Sequence, residues 1–149
     1  MQDYKFILNP QDLNVIKSSS FLITGGAGFI GSNIVEWLLH NGAKKVRILD
    51  NLSTGFFENI SRFTGFESLE FIEGDIRDLD VCLKASKGID YVSHQAALGS
   101  VPRSINDPIT TSSVNIGGHL NMLFACKENG IKRMVYAASS STYGSSQEL

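Results

Sequence analysis

Residues 21–39 read FLITGGAGFIGSNIVEWLL, and no other stretch of the chain restricts its fold as strongly. A short apolar, β-branched run meets three glycines spaced three apart, Gly25, Gly28 and Gly31, and an amphipathic helical pattern starts inside the glycine segment. That order needs a buried strand, a tight turn and a helix lying close against the strand it has just left. Gly25 suits the turn, Gly28 lets backbone amides come near a ligand, and Gly31 lets the helix approach the sheet.

The rest of the chain repeats this alternation. Strands are expected at 21–24, 45–50, 69–75, 89–95 and 133–139, and helices at 29–42, 78–88 and 111–130. The two longer helical patterns end in HNG and ENG, which suit a left-handed C-terminal cap. Strands and helices alternating at this spacing form right-handed βαβ units on a parallel sheet. The expected fold is therefore α/β, a Rossmann-type doubly wound parallel sheet of about five strands in the order 3-2-1-4-5. With 149 residues, 42% of them hydrophobic, there is material for one core. Residues 1–20 stand outside the alternation and are expected as an irregular lead-in or short helix on the outside, with the domain proper over 21–149.

The second expected strand ends in Asp50, 19 residues after Gly31. An acid there accepts hydrogen bonds from adenosine ribose hydroxyls while the helix N-terminus faces a pyrophosphate, so the pattern points to dinucleotide binding. Glycines used only for packing are the competing explanation. NAD is expected rather than NADP, because Asp50 repels a 2′-phosphate and the following NLSTG supplies no Arg or Lys. At the end of the third strand, Asp75 can accept from the adenine amino group while Ile76 packs on the ring; the alternative for Asp75 is a helix cap. After the fourth, the small residues Ala96, Ala97 and Gly99 leave room for the cofactor.

Other functions find little support. A net charge of −2 without a basic run gives no footprint for nucleic acid or a membrane surface. Cys82 and Cys126 lie outside any metal or redox spacing and read as buried thiols. No leader or membrane-span pattern is visible, so a soluble cytoplasmic protein is expected. His94 is expected to bond nearby backbone, His40 and His119 lie on helices without partners at ligand spacing, and no metal site is expected.

Taken together, TGGAGFIGSN, DNLSTG, GDIRD, HQAALGSVPRSINDPI, NIGGHLNML and YAASSSTYG resemble the extended short-chain dehydrogenase/reductase family. Within it they are similar to bacterial UDP-N-acetylglucosamine 4-epimerases of surface-polysaccharide synthesis, over residues 21–144. The resemblance implies an NAD site lined by Gly25, Gly28, Phe29, Ile30, Gly31, Asp50, Asn51, Ser53, Thr54 and Gly55. It extends that site to Asp75, Ile76, Gln95, Ala96, Ala97 and Gly99. It places Ser100, Arg103, Ser140 and Ser141 beside a UDP-sugar of N-acetylhexosamine type, and makes Ser139 the catalytic serine that hydrogen-bonds the sugar 4-hydroxyl. Asn115 matches an asparagine of structural support, and the family's homodimer pairs the helix at 111–130 with a following one. The implied reaction takes a proton from the 4-hydroxyl with a tyrosine base and moves hydride to NAD and back.

One part of the family pattern is not found in these residues. A Tyr-x-x-x-Lys pair is expected some two dozen residues after the serines, yet Tyr4, Tyr91, Tyr136 and Tyr143 are followed four positions on by Leu8, Gln95, Ser140 and Gln147. The reading is therefore of an NAD-binding portion that ends before the catalytic helix and substrate domain and is inactive alone. Tyr143 reads as a packing residue. A non-enzymatic NAD-binding module and part of a dehydratase or decarboxylase are the alternatives. The latter two need a carboxylate directly after the catalytic serine, where this chain has Ser140 and Ser141.

Overall fold

A computed structural model describes residues 9–139 and Gly144. Asn9 and Pro10 start the first helix, α1 (Pro10–Ser18): the Asn9 side chain accepts from the Asp12 N–H at 2.8 Å, and proline sits where its missing N–H costs nothing. This is the helical form of the expected lead-in, and its Ile16 is buried. There follow β1 (Ser20–Thr24), α2 (Phe29–His40), β2 (Lys45–Asp50), α3 (Glu58–Ser61), β3 (Leu69–Glu73) and α4 (Leu79–Ser86). The remaining elements are β4 (Tyr91–His94), α5 (Val101–Asn106), α6 (Pro108–Ser112), a π-helical segment (Ser113–Gly118), α7 (His119–Glu128) and β5 (Arg133–Tyr136). All four strand pairings are parallel, in the order β3-β2-β1-β4-β5 that the alternation predicts.

Strand residues point alternately to the two faces, and each face has its own core. Ile23 and Ile48 pack with Val35, Leu38 and Leu39 of α2 and with Ile60 and Phe63. Their neighbours Leu22 and Leu49 pack on the other face with Cys82 and Ala85 of α4 and Met122, Ala125 and Cys126 of α7. Burial on both faces is why these strands read as continuous apolar runs. The exception inside β2 is Arg47, 9% exposed. Its Nη1 donates to the carbonyls of Ala85 and Lys87 at 2.6 and 2.9 Å, where the end of α4 leaves acceptors without intrahelical partners, and its Nε pairs with Glu70 at 2.9 Å.

Three strands stop short of their expected ends. Beyond them single bonds take over, Gly74 N–H to Asp50 O at 3.0 Å, Gln95 N–H to Thr24 O at 3.1 Å and Ala137 N–H to His94 O at 3.2 Å, and the chain turns away from the sheet. The helix expected over 111–130 is divided: α6 passes through the π-helical segment into α7. Gly118 lies in that segment against Ile76, whose side-chain carbons would stand 2.5 Å from a Cβ. The helices α3 and α5 had no periodic signal because they span four and six residues.

Candidate functional site

The strand order reverses at β1, whose neighbours β2 and β4 are reached by crossovers on opposite sides. Diverging loops leave a crevice outside the carboxyl ends of strands at such a point. That crevice is lined by Gly25 and Gly28, by Leu49, Asp50, Asn51, Ser53, Thr54 and Gly55, by Gly74, Asp75 and Ile76, by Ala96, Ala97 and Leu98, and by Val114 of the π-helical segment.

The glycine loop is shaped by close backbone approach. Gly25 has φ +68°, and a Cβ there would stand 2.7 Å from the Ala96 nitrogen. A Cβ on Gly31 would run into the Gly25 carbonyl and reach 2.8 Å from the Gly26 Cα. Gly28 is the N-cap of α2 and bonds back to Gly25 O at 3.1 Å. The first-turn amides of Phe29, Ile30 and Gly31 have no intrahelical acceptors and carry the positive end of a twelve-residue helix. The side chains of Phe29 and Ile30 are 84% and 60% exposed and lie outside the crevice lining, so what these two residues offer it is backbone.

Asp50 is buried and ties three segments together. One carboxylate oxygen accepts from Ala27 N–H and the other from Leu52 N–H, both at 2.9 Å. A carboxylate has about four acceptor positions, so capacity remains towards the crevice. Leu52, held this way with its side chain against the first core, has φ +56°. It sets the turn from which Asn51 accepts the Ser53 N–H at 3.1 Å.

Asp75 is gripped by Arg77, whose Nη2 lies 2.7 Å from Oδ2 and whose Nε lies 3.0 Å from Oδ1. The Asn51 amide adds a bond of 2.9 Å, which joins the loops after β2 and β3. The Arg77 hydrogen bonds hold the Asp75 carboxyl down at about 2, against the opposing effect of burial. The helix cap considered for Asp75 belongs to Asp78, which accepts from Asp80 and Val81 N–H at 2.9 and 3.2 Å.

On the far wall, Asn115 brackets Leu98, accepting its N–H at 2.8 Å and donating to its carbonyl at 3.0 Å. The Gln95 side chain donates to Ser93 Oγ at 3.0 Å, and neither Gln95 nor Gly99 lines the crevice. Ser100 caps α5 by accepting the Arg103 N–H at 3.3 Å; both residues are exposed. Ser139 is exposed three positions beyond β5, while Ser140, Ser141 and Tyr143 lie outside the described residues.

Leu49, Gly74, Leu98 and Val114 line the crevice without having been singled out in the sequence. Gly74 carried a signal in GDIRD; Leu98 and Val114 carried none, since only packing brings them there. His94 corrects an expectation: its Nδ1 meets the Thr24 hydroxyl at 2.7 Å, a side chain instead of backbone. His119 packs its ring between His94 and Tyr136, with centroids 5.1 and 4.8 Å away. The Cys82 and Cys126 thiols are buried and pushed up to about 12 and about 11, mainly by burial. Among the described residues no cluster of His, Cys, Asp or Glu could hold a metal ion, and no helix is long and apolar enough to cross a membrane.

The lining suits a dinucleotide. Glycines stand where a Cβ would fill the approach to α2, an acid closes β2, and no Lys or Arg lines the crevice to receive a 2′-phosphate. Comparison with known proteins agrees. The model of the NAD dependent epimerase/dehydratase family matches residues 21–149. The UDP-glucose 4-epimerase of Streptomyces lividans is 35% identical over 135 residues, 89% of this chain and 39% of that protein. Among solved structures, the UDP-N-acetylglucosamine 4-epimerase of Methanobrevibacter ruminantium, in complex with UDP-N-acetylmuramic acid, is 41% identical with a TM-score of 0.81, covering 89% of this chain and 42% of that one. The Thermus thermophilus UDP-glucose 4-epimerase complex with NAD is 43% identical with a TM-score of 0.72, covering 80% and 37%. The chain thus spans about two fifths of the length of these relatives.

Proposed function

The chain belongs to the NAD dependent epimerase/dehydratase family, and from that premise we propose that it is the NAD-binding portion of a cytoplasmic nucleotide-sugar 4-epimerase that interconverts UDP-N-acetylhexosamines for surface polysaccharide. The observation that carries the reading is the crevice itself, with the glycine loop and α2 on one side and the Asp50 carboxylate at the end of β2.

In this reading the Gly28–Gly31 amides face the pyrophosphate, Asp50 accepts from the ribose hydroxyls with Asn51, Ser53, Thr54 and Gly55 around it, and Asp75 and Ile76 meet the adenine. Gln95, Ala96, Ala97 and Gly99 follow the cofactor towards the sugar. NAD, when bound, supplies the hydride acceptor and donor at the sugar C4. Ser139 hydrogen-bonds the 4-hydroxyl, and Ser100, Arg103, Ser140 and Ser141 hold the sugar. The N-acetylated substrate rests on the segment GSVPRSINDPI, which is similar to that of enzymes accepting N-acetylated sugars, since the solved relatives include both a UDP-N-acetylglucosamine and a UDP-glucose 4-epimerase at nearly equal identity. A homodimer face is proposed over Ile109, Ile116, Leu120 and Leu123, which are 81%, 69%, 63% and 44% exposed along α6 to α7.

Calorimetric titration tests the cofactor. NAD is expected to bind and NADP to bind at least about tenfold more weakly, the difference shrinking in Asp50→Ala. No binding of NAD at millimolar concentration overturns the reading. With UDP-N-acetylglucosamine and NAD together, these 149 residues are expected to form no epimer, since no tyrosine among them has a lysine four positions on. Turnover would refute that part.

A further inference from the structure

Thr24 ends β1 with a side chain that is 0% exposed, and a buried hydroxyl needs both a donor for its oxygen and an acceptor for its proton. The donor is the Ala96 backbone N–H, 3.2 Å from Thr24 Oγ1. The other partner is His94 Nδ1 at 2.7 Å. The Thr24 oxygen has lone pairs for both partners, but its own proton would then lack an acceptor in a buried site; sending that proton to Nδ1 satisfies both groups and leaves His94 a neutral imidazole with its proton on Nε2.

What this relay holds is a wall of the crevice. Ala96 lies directly against the glycine loop, its nitrogen 2.7 Å from where a Gly25 Cβ would be, and both residues line the crevice. Gln95 N–H adds a second bond across to Thr24 O at 3.1 Å, so the end of β4 is fastened to the end of β1 beside the loop. The His94 ring is 5% exposed and packs against His119 of α7. Burial first, and then the neighbouring His119, push its pKa down to about 4, which favours the neutral form.

We propose that His94 is a positioning residue of the cofactor crevice: as the Nε2–H tautomer it accepts the Thr24 hydroxyl proton, so that the Thr24 oxygen holds the Ala96 peptide against Gly25. The inference rests on the assignment of NAD to this crevice. It asks of position 94 an acceptor at one place, beyond a ring of suitable volume.

The test is NAD titration, with thermal melts in parallel, on four single variants of the chain and one double variant. His94→Phe keeps a ring without the acceptor and Thr24→Val keeps the shape without the hydroxyl; each is expected to raise the NAD Kd by about tenfold, and the double variant no further than either alone. His94→Asn, whose Oδ1 falls near the place of Nδ1, and Thr24→Ser are expected to recover affinity to within about threefold of the unmodified chain. Unchanged Kd in His94→Phe and Thr24→Val, whatever happens to Tm, overturns the proposal, as does a penalty in His94→Asn equal to that of His94→Phe. Nitrogen-15 spectra of the unmodified chain give a check that needs no variant: an unprotonated Nδ1 supports the relay and a protonated Nδ1 overturns it. Failure of the unmodified chain to bind NAD overturns the cofactor assignment and the positioning role with it, and that result is distinct from a wrong tautomer.

Discussion

β2 and β5 are similar as text, KVRILD and RMVY, and opposite as structure. In β2, Val46, Ile48 and Leu49 are all 0% exposed, between β1 and β3 and under helices on both faces. In β5, Met134 joins the core shared with α4 and α7, while Val135 and Tyr136 are 59% and 55% exposed. Among the described residues β5 pairs only with β4. An apolar strand pattern encodes a capacity for burial; what covers it is decided by other residues. Parallel strands are ordinarily covered on both faces, as the middle of β2 is, whereas Val135 and Tyr136 of β5 are exposed.

The largest expected effects test that contrast directly. Ile48→Ala should cost about 2–5 kcal/mol in urea unfolding, because it empties a closed site, whereas Val135→Ala should stay within about 0.5 kcal/mol, as surface substitutions do. Equal costs would break the comparison. Next, Gly31→Ala forces a methyl into the Gly25 carbonyl, with an expected loss of about 1–3 kcal/mol and weakened NAD binding. On the other side Gly130, with φ +65° and open space around it, should lose about 1 kcal/mol on substitution by Ala and leave NAD binding unchanged. A Gly130→Ala chain that bound NAD as poorly as Gly31→Ala would show that the two sides are not independent.

The smallest effect is acid-dependent and sharpens the contrast between the two ends of the sheet. Asp75 at the crevice end is held at about 2 chiefly by Arg77, and Asp90 at the opposite end is held at about 2 chiefly by Lys132, with Ser20 adding to it. A carboxyl depressed in the folded state contributes stability above its ordinary value of 3.8 and loses it as pH falls towards 2, since the unfolded chain takes up the proton first. Stability should therefore drop between about pH 4 and pH 2. Asp75→Asn and Asp90→Asn should each flatten part of that drop, and only Asp75→Asn should also weaken NAD. Identical acid profiles for both variants and the unmodified chain would contradict these pairings.

Much of the fold was legible because its determinants are local. The alternation of period-2 and period-3.6 patterns, the Asn-Gly ends of α2 and α7 and the spacing of Gly25, Gly28 and Gly31 each act within a few residues, where φ preference and side-chain direction operate. Asp50 could be placed because a strand end is itself a local feature. Four side-chain assignments could not be placed this way. Asp75 could accept from a ligand, cap a helix or pair with a cation; Arg77 and Asn51 took it, and Asp78 took the cap. The Leu98–Asn115 bracket, the Arg47 bond to Ala85 and the Thr24 bond to Ala96 join residues 17, 38 and 72 positions apart.

By itself, then, the sequence determined the order of elements, the parallel sheet, the turn before α2 and the acid that ends β2, because backbone sterics and burial period are written in neighbouring residues. Tertiary structure alone decided which of several possible partners each polar group took, that His94 meets Thr24, and that Val135 and Tyr136 of β5 are exposed, because those outcomes depend on distances between segments that only packing sets.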